Sequence, residues 1–428
     1  MTKQLKDASN KMRDILSLAD FERIAKKRLP RPLFGYISGA TEDNASLDDN
    51  RDAFNELGFV PRVLRDVSGR SQSIELFGVR YEAPIGISPM GISSLSGYRG
   101  DLTQAQGAQA CGVPMILSGA SLIRMEDVVR AAPGTWFQAY MPRTLEEIGG
   151  LVARVLAARV TTLVVTVDSA VVPNRENNAR NGFKTPLRPN LSLLCDGLTH
   201  PTWSLFTFLR TMIRHGMPYF ENAGATRGEP LLSRRANRDF SGREHLDWNA
   251  IRAIRGQWKG PLVLKGITHP NDAATARDLG VDGIIVSNHG GRQLDGTVSP
   301  MRMLPHVVKA CKGMPVMIDS GFRRGTDVLK AIALGAKCAF IGRPFNYAAT
   351  IAGQAGVEHA IALLKAEIRA DMGLLGVNSL DELGPEFLRL KRFHLDDLVV
   401  PARQSAIVEE SESRGAARTL PHNSAMVP

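Results

Sequence analysis

From about residue 84 the chain alternates short, almost wholly apolar runs with longer amphipathic stretches. The apolar runs cover residues 84–88, 114–118, 136–140, 161–168, 261–265, 283–287, 315–319 and 338–342. Each is too short for a helix and is mostly Val, Ile, Leu, Met or Phe, which suits strands covered on both faces. Amphipathic helices are predicted over 102–111, 145–158, 248–257, 272–279, 301–312 and 326–334, and several end at a glycine such as Gly280 or Gly335. About eight strands alternating with helices predict a TIM (β/α)8 barrel. The other arrangement considered, a doubly wound open sheet, would place a GxGxxG phosphate loop after its first strand. Ser88-Pro89-Met90-Gly91-Ile92 stands there instead.

Three parts fall outside this repeat. Residues 1–83 are expected to form a helical extension ahead of a barrel spanning 84–400. Residues 183–243 form a long insertion between the fourth strand and the helix near Trp248. The tail, 401–428, is polar and patternless and is expected to be disordered.

Composition narrows the class only a little. The 428 residues are 43% hydrophobic and 22% charged, the balance of a globular chain, with a net charge of +10. That charge is compatible with nucleic acid, an anionic membrane or an anionic substrate. Cys111, Cys195, Cys311 and Cys338 form no CxxC pair and no His stands at ligand spacing, so reduced thiols and no metal are expected. The N-terminus lacks the apolar core of a signal peptide, and no run approaches the ~18 apolar residues that cross a bilayer. A cytoplasmic protein, soluble or resting on the inner face of a membrane, is the expectation.

Catalytic groups of a TIM barrel sit at the C-terminal ends of its strands. Those positions here are Ser118, then Gln138 and Tyr140, Thr166 and Asp168, Lys265, Ser287 and His289, Asp319, and Gly342 with Arg343. One polar loop residue is unremarkable, but polar or titratable groups ending nearly every strand on one face are not. His289 lies on the turn Gly290-Gly291 with Arg292 following; imidazole suits proton abstraction near neutral pH, and Asp168 is the candidate carboxylate beside it. Lys265 ends an all-apolar strand, where an ammonium needs an anion or an electron-rich ring as partner. Residues 319–328 and 341–344, with Gly321, Arg323 and Arg343, occupy the usual phosphate site of the fold, and so predict a phosphate-bearing cofactor.

The runs SNHGGRQLD (287–295), IDSGFRRGTDV (318–328), LVLKG (262–266), WFQAY (136–140), TVD (166–168) with NRE (174–176), and FGYISGATED (34–43) resemble the FMN-dependent 2-hydroxy acid dehydrogenase and oxidase family over about residues 18–395. The segments WSL (203–205) and RHGMPYF (214–220) resemble its mandelate dehydrogenase branch most. The resemblance implies FMN as cofactor, an (S)-2-hydroxy acid as substrate and a homotetramer. It makes His289 the base with Asp168 bonded to it, and Arg175 and Arg292, helped by Tyr36, the grip on the substrate carboxylate. Tyr140 would meet the substrate hydroxyl, and Lys265 the edge of the flavin. Ser118, Gln138, Thr166 and the backbone of Pro89, Met90 and Gly91 would hold the ring, and Ser287 the ribityl chain or the ring. Asp319, Arg323, Gly342 and Arg343 would take the ribityl phosphate. Met90 replaces the usual Thr, Ala120 replaces a Trp of glycolate oxidase, and one residue fewer separates Tyr36 from Gly39-Ala40. The chemistry is therefore expected to hold while the pocket admits a bulkier 2-substituent, and the shortened loop leaves Tyr36 open to displacement.

The insertion carries nine Lys/Arg against four acids, a net +5, with Trp203, Phe206, Phe208 and Phe220 among its aromatic residues. Basic charge with aromatic surface suits an anionic membrane interface and access to a membrane quinone; a lid packed on its own barrel is the other reading. Nucleic acid is set aside because no recognition module accompanies the charge. A soluble oxidase that passes electrons to O₂, and a non-redox phosphate-binding barrel, are the competing functions.

Overall fold

All eight apolar runs form strands: β1 Ile85–Ile87, β2 Ile116–Ser118, β3 Trp136–Ala139, β4 Leu163–Thr166, β5 Leu262–Ile267, β6 Gly283–Val286, β7 Val316–Ile318 and β8 Cys338–Ile341. This computed structural model describes residues 12–183, 191–233 and 243–391. The chain divides into two compact units, Met1–Arg389 and Leu390–Pro428. The barrel lies in the first; the tail predicted to be disordered lies outside the described residues.

Pairing is parallel in the order β1-β8-β7-β6-β5-β4-β3-β2. A parallel bridge between Ile87 and Met115, with the Ile87 N–H donating to Pro114 O at 2.9 Å, joins the two ends of that order and closes the barrel. One helix follows each strand: α1 Gly100–Ala110, α2 Met125–Ala131, α3 Leu145–Ala157, α4 Trp248–Gln257, α5 Pro270–Asp278, α6 Pro300–Cys311, α7 Gly325–Ala333 and α8 Arg343–Leu375. Local chemistry fixes their starts. Thr144 accepts from the Glu147 N–H while Glu147 accepts from the Thr144 N–H, a capping box at α3, and Asp247 caps α4.

Two helices were not legible in the pattern. α2 spans two turns only, and the first turns of α8 are buried from Arg343 to Thr350, leaving no polar stripe to mark a period. The extension ahead of the barrel also differs from expectation. Helices Leu18–Arg28, Arg31–Ser38 and Ala45–Glu56 are present, but a hairpin pairs Ile74–Leu76 with Val79–Tyr81. Its two-residue turn puts both Phe77 (φ 52) and Gly78 (φ 76) in the left-handed region, as tight hairpins require.

That hairpin plugs the barrel. Leu76, Phe77 and Tyr81 pack on an interior layer made by Ile116, Trp136, Val164, Val263, Ile285, Met317 and Phe340, and Trp136 Nε1 donates to the Tyr81 hydroxyl at 3.2 Å. Side chains alternate along a strand, so the residue two positions on shares the inward face. Those residues are Ser118, Gln138, Thr166, Lys265, Ser287, Asp319 and Gly342. Each strand thus runs from an apolar plug to a polar mouth, and the six side chains among them are buried there.

Candidate active site

Above the polar layer lies a cleft of about 990 Å³, part of it open to solvent. Tyr36, Pro89, Met90, Gly91, Tyr140, Arg175, Lys265, His289, Arg292, Asp319, Gly321, Arg323, Gly342 and Arg343, all named from the sequence, line it. Ser118, Gln138, Thr166 and Ser287 belong to the buried polar layer beneath it, and Asp168 reaches it through its bond to His289. Tyr36 reaches the cleft across the shortened loop, its hydroxyl 3.5 Å from where a Cβ on Gly91 would be.

His289 is held from both sides. Its backbone sits at φ 57, a strained conformation for a histidine that the following glycines and its own amide bond to Ser287 Oγ (3.0 Å) sustain. Nδ1 faces both Asp168 oxygens, at 3.0 and 3.2 Å, which fixes the tautomer and leaves Nε2 as the nitrogen available to a ligand. Asp168 in turn depends on Gly266 (φ +107), where a Cβ would lie 2.6 Å from the Asp168 side chain.

Burial pushes the His289 pKa below the ordinary 6.5, Asp168 pulls it up, and Lys265 and Arg175 push it down again. Burial opposes the charge on Asp168, but His289 and Lys265 outweigh it and hold the carboxyl below 3.8. The imidazole is therefore neutral, and able to accept a proton, from neutral pH down to below 6.5. The acid limb of kcat/KM should lie below pH 6.5, and Asp168→Asn should move it further down while lowering kcat, because the imidazolium formed in the reaction loses its counter-charge. A pH profile with its acid limb above 6.5 would contradict this assignment.

Among the described residues, the arginines of the cleft have no carboxylate partner. Arg292 stacks on Tyr36 with its guanidinium 4.9 Å from the ring centroid and donates to Tyr36 O (2.7 Å) and Gly39 O (2.8 Å). Arg175 donates to Arg292 O at 3.0 Å, and Arg343 to Ile37 O, Gly39 O and Gly290 O. Burial first, then Arg175, pushes Arg292 down to about 10; burial, then Arg292, pushes Arg343 down to about 9. Among the described residues, none of the three forms an ion pair with Asp or Glu. Buried like charges without a counter-ion cost several kcal/mol, about what an incoming anion would offset. Tyr140, raised above 10 by burial and then by Asp168, stays a hydroxyl and so a donor.

The floor is built around Lys265. Its Nζ lies 3.1 Å from Asp319 Oδ2 and donates to Ser287 Oγ at 2.9 Å, while Ser88 donates to the same Asp319 oxygen. Beside it, Gln138 Nε2 and Thr166 Oγ1 are buried without a hydrogen-bond partner. Such groups are rare in a finished interior and signal a ligand that satisfies them. A polar, ring-shaped ligand with hydrogen-bonding edges fits this floor. The anionic end fits beside Gly321 (φ +90) and Arg323, a half-buried cation whose guanidinium donates to Phe322 O.

The sequence reading missed Gln293 and Ser169, which line the cleft, although Gln293 was in plain view inside SNHGGRQLD. It also missed Asp295, which accepts from the N–H groups of Asp43, Ala45 and Ser46 and fixes the start of the helix Ala45–Glu56. No group of three His, Cys, Asp or Glu among the described residues could hold a metal.

In the insertion, Ser204–Leu209 forms a π-helical turn that continues into the helix Arg210–His215. Leu205, Phe206, Phe208, Leu209 and Ile213 are exposed on it, Ile213 at 75%. Trp203 anchors the segment by donating to Leu95 O and stacking on Phe208, and Arg210 lies over Tyr98. Among its basic residues Lys184, Arg188, Arg234, Arg235 and Arg238 lie outside the described residues.

A barrel with this polar mouth, an imidazole–carboxylate pair and an anion subsite on its last strands defines a cofactor-dependent enzyme acting on a small acid. The chain belongs to the FMN-dependent dehydrogenase family, whose sequence model matches residues 25–390. It is 38% identical to the (S)-mandelate dehydrogenase of Pseudomonas putida, over 88% of this chain and 94% of that protein. It is also 38% identical to the L-lactate dehydrogenase of Alcaligenes faecalis, over 87% of this chain and 98% of that protein. A crystal structure of a monotopic membrane protein, (S)-mandelate dehydrogenase, matches with a TM-score of 0.82 at 36% identity, covering 88% of this chain and all of that one. The predicted barrel and FMN dependence stand, and the non-redox phosphate-binding barrel falls.

Proposed function

We propose that the protein oxidises an (S)-2-hydroxy acid, lactate- or mandelate-like, to the 2-oxo acid at a membrane surface and passes the electrons to a quinone. The observation that carries this reading is the His289–Asp168 pair beside two arginines with no carboxylate partner among the described residues. Arg175 and Arg292 bind the substrate carboxylate, for which planar guanidinium donors are well matched. Tyr140 and Tyr36 orient the hydroxyl-bearing carbon, and His289 takes a substrate proton on Nε2 while Asp168 stabilises the imidazolium. Gln138, Thr166, Ser118, Ser287, Lys265 and the backbone of Pro89, Met90 and Gly91 would hold the flavin ring and its chain. Asp319, Gly321, Arg323, Gly342 and Arg343 would hold the ribityl-phosphate end. FMN, when bound, supplies the two-electron acceptor. Lys265 sets a fixed positive charge in the floor, aimed where negative charge develops. Ala120 contributes only a methyl group to the cleft, which favours a bulkier 2-substituent than that of glycolate.

The membrane part rests on the exposed apolar side chains of 205–213 flanked by Arg210 and Arg214. No helix among the described residues is long and apolar enough to cross a membrane. Such a segment lies in the interface with its apolar face inserted. Cells expressing the protein should carry 2-hydroxy acid:quinone activity in their membrane fraction. Phe206→Glu with Ile213→Glu should release the protein to the soluble fraction, still bleachable by substrate. A wild-type protein found wholly in the soluble fraction and rapidly releasing hydrogen peroxide would instead be an oxidase.

A further inference from the structure

The base and the carboxylate grip come from different loops, and one side chain ties them together. Asp168 and Arg175 belong to the loop after β4; His289, Arg292 and Gln293 belong to the loop after β6. The Gln293 amide oxygen accepts from an Arg175 terminal nitrogen at 2.6 Å, and its Nε2 donates to the Asp168 backbone carbonyl at 3.0 Å. With the His289–Asp168 bond at 3.0 Å and the Arg175–Arg292 bond at 3.0 Å, these contacts close a ring through both loops.

A long carboxamide serves both ends. A guanidinium can only donate and a carbonyl can only accept, so the bridging group must present an acceptor and a donor side by side, which a carboxamide does. Glutamate in its place would meet Arg175 but set an oxygen against the Asp168 carbonyl. Methionine of similar size would offer neither bond. The contact with Arg175 also constrains its planar group, so substrate would meet an arginine already oriented. Less ordering entropy is then lost on binding.

We infer that Gln293 is a positioning residue that orients Arg175 for the substrate carboxylate and keeps that arginine in register with the His289–Asp168 pair. The inference rests on the proposed role of Arg175 and adds to it. The Gln293 side-chain bonds run to Arg175 and the Asp168 carbonyl, so its loss acts through Arg175.

The experiment is a double-mutant cycle on the FMN-loaded enzyme with Arg175→Met, Gln293→Met and both together, reading kcat, KM and flavin content. Gln293→Met should retain stoichiometric FMN and raise KM about tenfold, with a smaller fall in kcat. The double variant should be no worse than Arg175→Met alone, because residues acting as a unit are not additive. Gln293→Glu, which keeps size and polarity, should fail to restore KM. Additive losses, a KM within twofold of wild type in Gln293→Met, or full rescue by glutamate would overturn the inference. A normal KM in Arg175→Met would instead remove the role of Arg175 itself. If Gln293→Met does not fold, the Gln293→Glu comparison decides alone.

Discussion

Replacing His289 with glutamine should give a protein that is still yellow and that a 2-hydroxy acid no longer bleaches. His289 lines the cleft through its side chain, whereas the floor that would hold the flavin is built from Lys265, Gln138, Thr166 and Asp319, none of them on the turn that carries it. Flavin content should therefore be unchanged. The rate of anaerobic flavin reduction should fall by about 10³- to 10⁴-fold, the upper part of what a positioned base contributes. Glutamine also has to occupy φ 57, which adds about 1 kcal/mol of strain and a small drop in melting temperature. Anaerobic stopped-flow mixing measures the rate; reduction at the wild-type rate would remove His289 from its role.

The second large effect concerns Lys265. Its ammonium and the Asp319 carboxylate are 4% and 7% exposed and 3.1 Å apart, so removing one leaves the other charge buried and uncompensated. Lys265→Met should cost about 3–5 kcal/mol of stability on that ground. It should also slow flavin reduction by about 10²- to 10³-fold, the scale of losing one preorganised electrostatic contact. The two losses separate in a second variant. Adding Asp319→Asn removes the stranded charge, so most of the stability should return in a denaturant titration while the rate stays low. If stability and rate recovered together, Lys265 would be a structural residue only.

Much of this site was legible because barrel chemistry follows strand period. Once β2 to β7 were placed, their C-terminal ends led directly to Ser118, Gln138, Thr166, Lys265, Ser287 and Asp319. His289 and Asp168 lie just beyond strand ends, where an imidazole needs a carboxylate, and both the strand-end reading and the family resemblance pair them as the geometry does. What stayed hidden depends on distant parts of the chain. Arg292 and Arg343 are steered by the carbonyls of Tyr36, Ile37 and Gly39, more than 250 residues away, and no local pattern reports that. The plug at Ile74–Tyr81 escaped because three-residue strands carry too little alternation to count. Gln293 was quoted within its motif and passed over, since a lone glutamine becomes informative only when an arginine and a carbonyl flank it.

The polar mouth also explains why one scaffold serves cofactor and substrate at once. Its floor offers buried, unsatisfied hydrogen-bonding groups and a fixed cation, while its rim offers arginines that have no counter-ion among the described residues. The first set suits a planar ring held for long periods, the second a small anion that comes and goes.

The most direct test is an anaerobic titration of the FMN-loaded wild-type protein with paired enantiomers of lactate and mandelate, followed by flavin absorbance. The account predicts that an (S)-enantiomer bleaches the flavin and leaves a stoichiometric amount of the 2-oxo acid, while its mirror image does not. A flavin that stays yellow with every 2-hydroxy acid offered, or a purified protein that takes up no FMN, would contradict it.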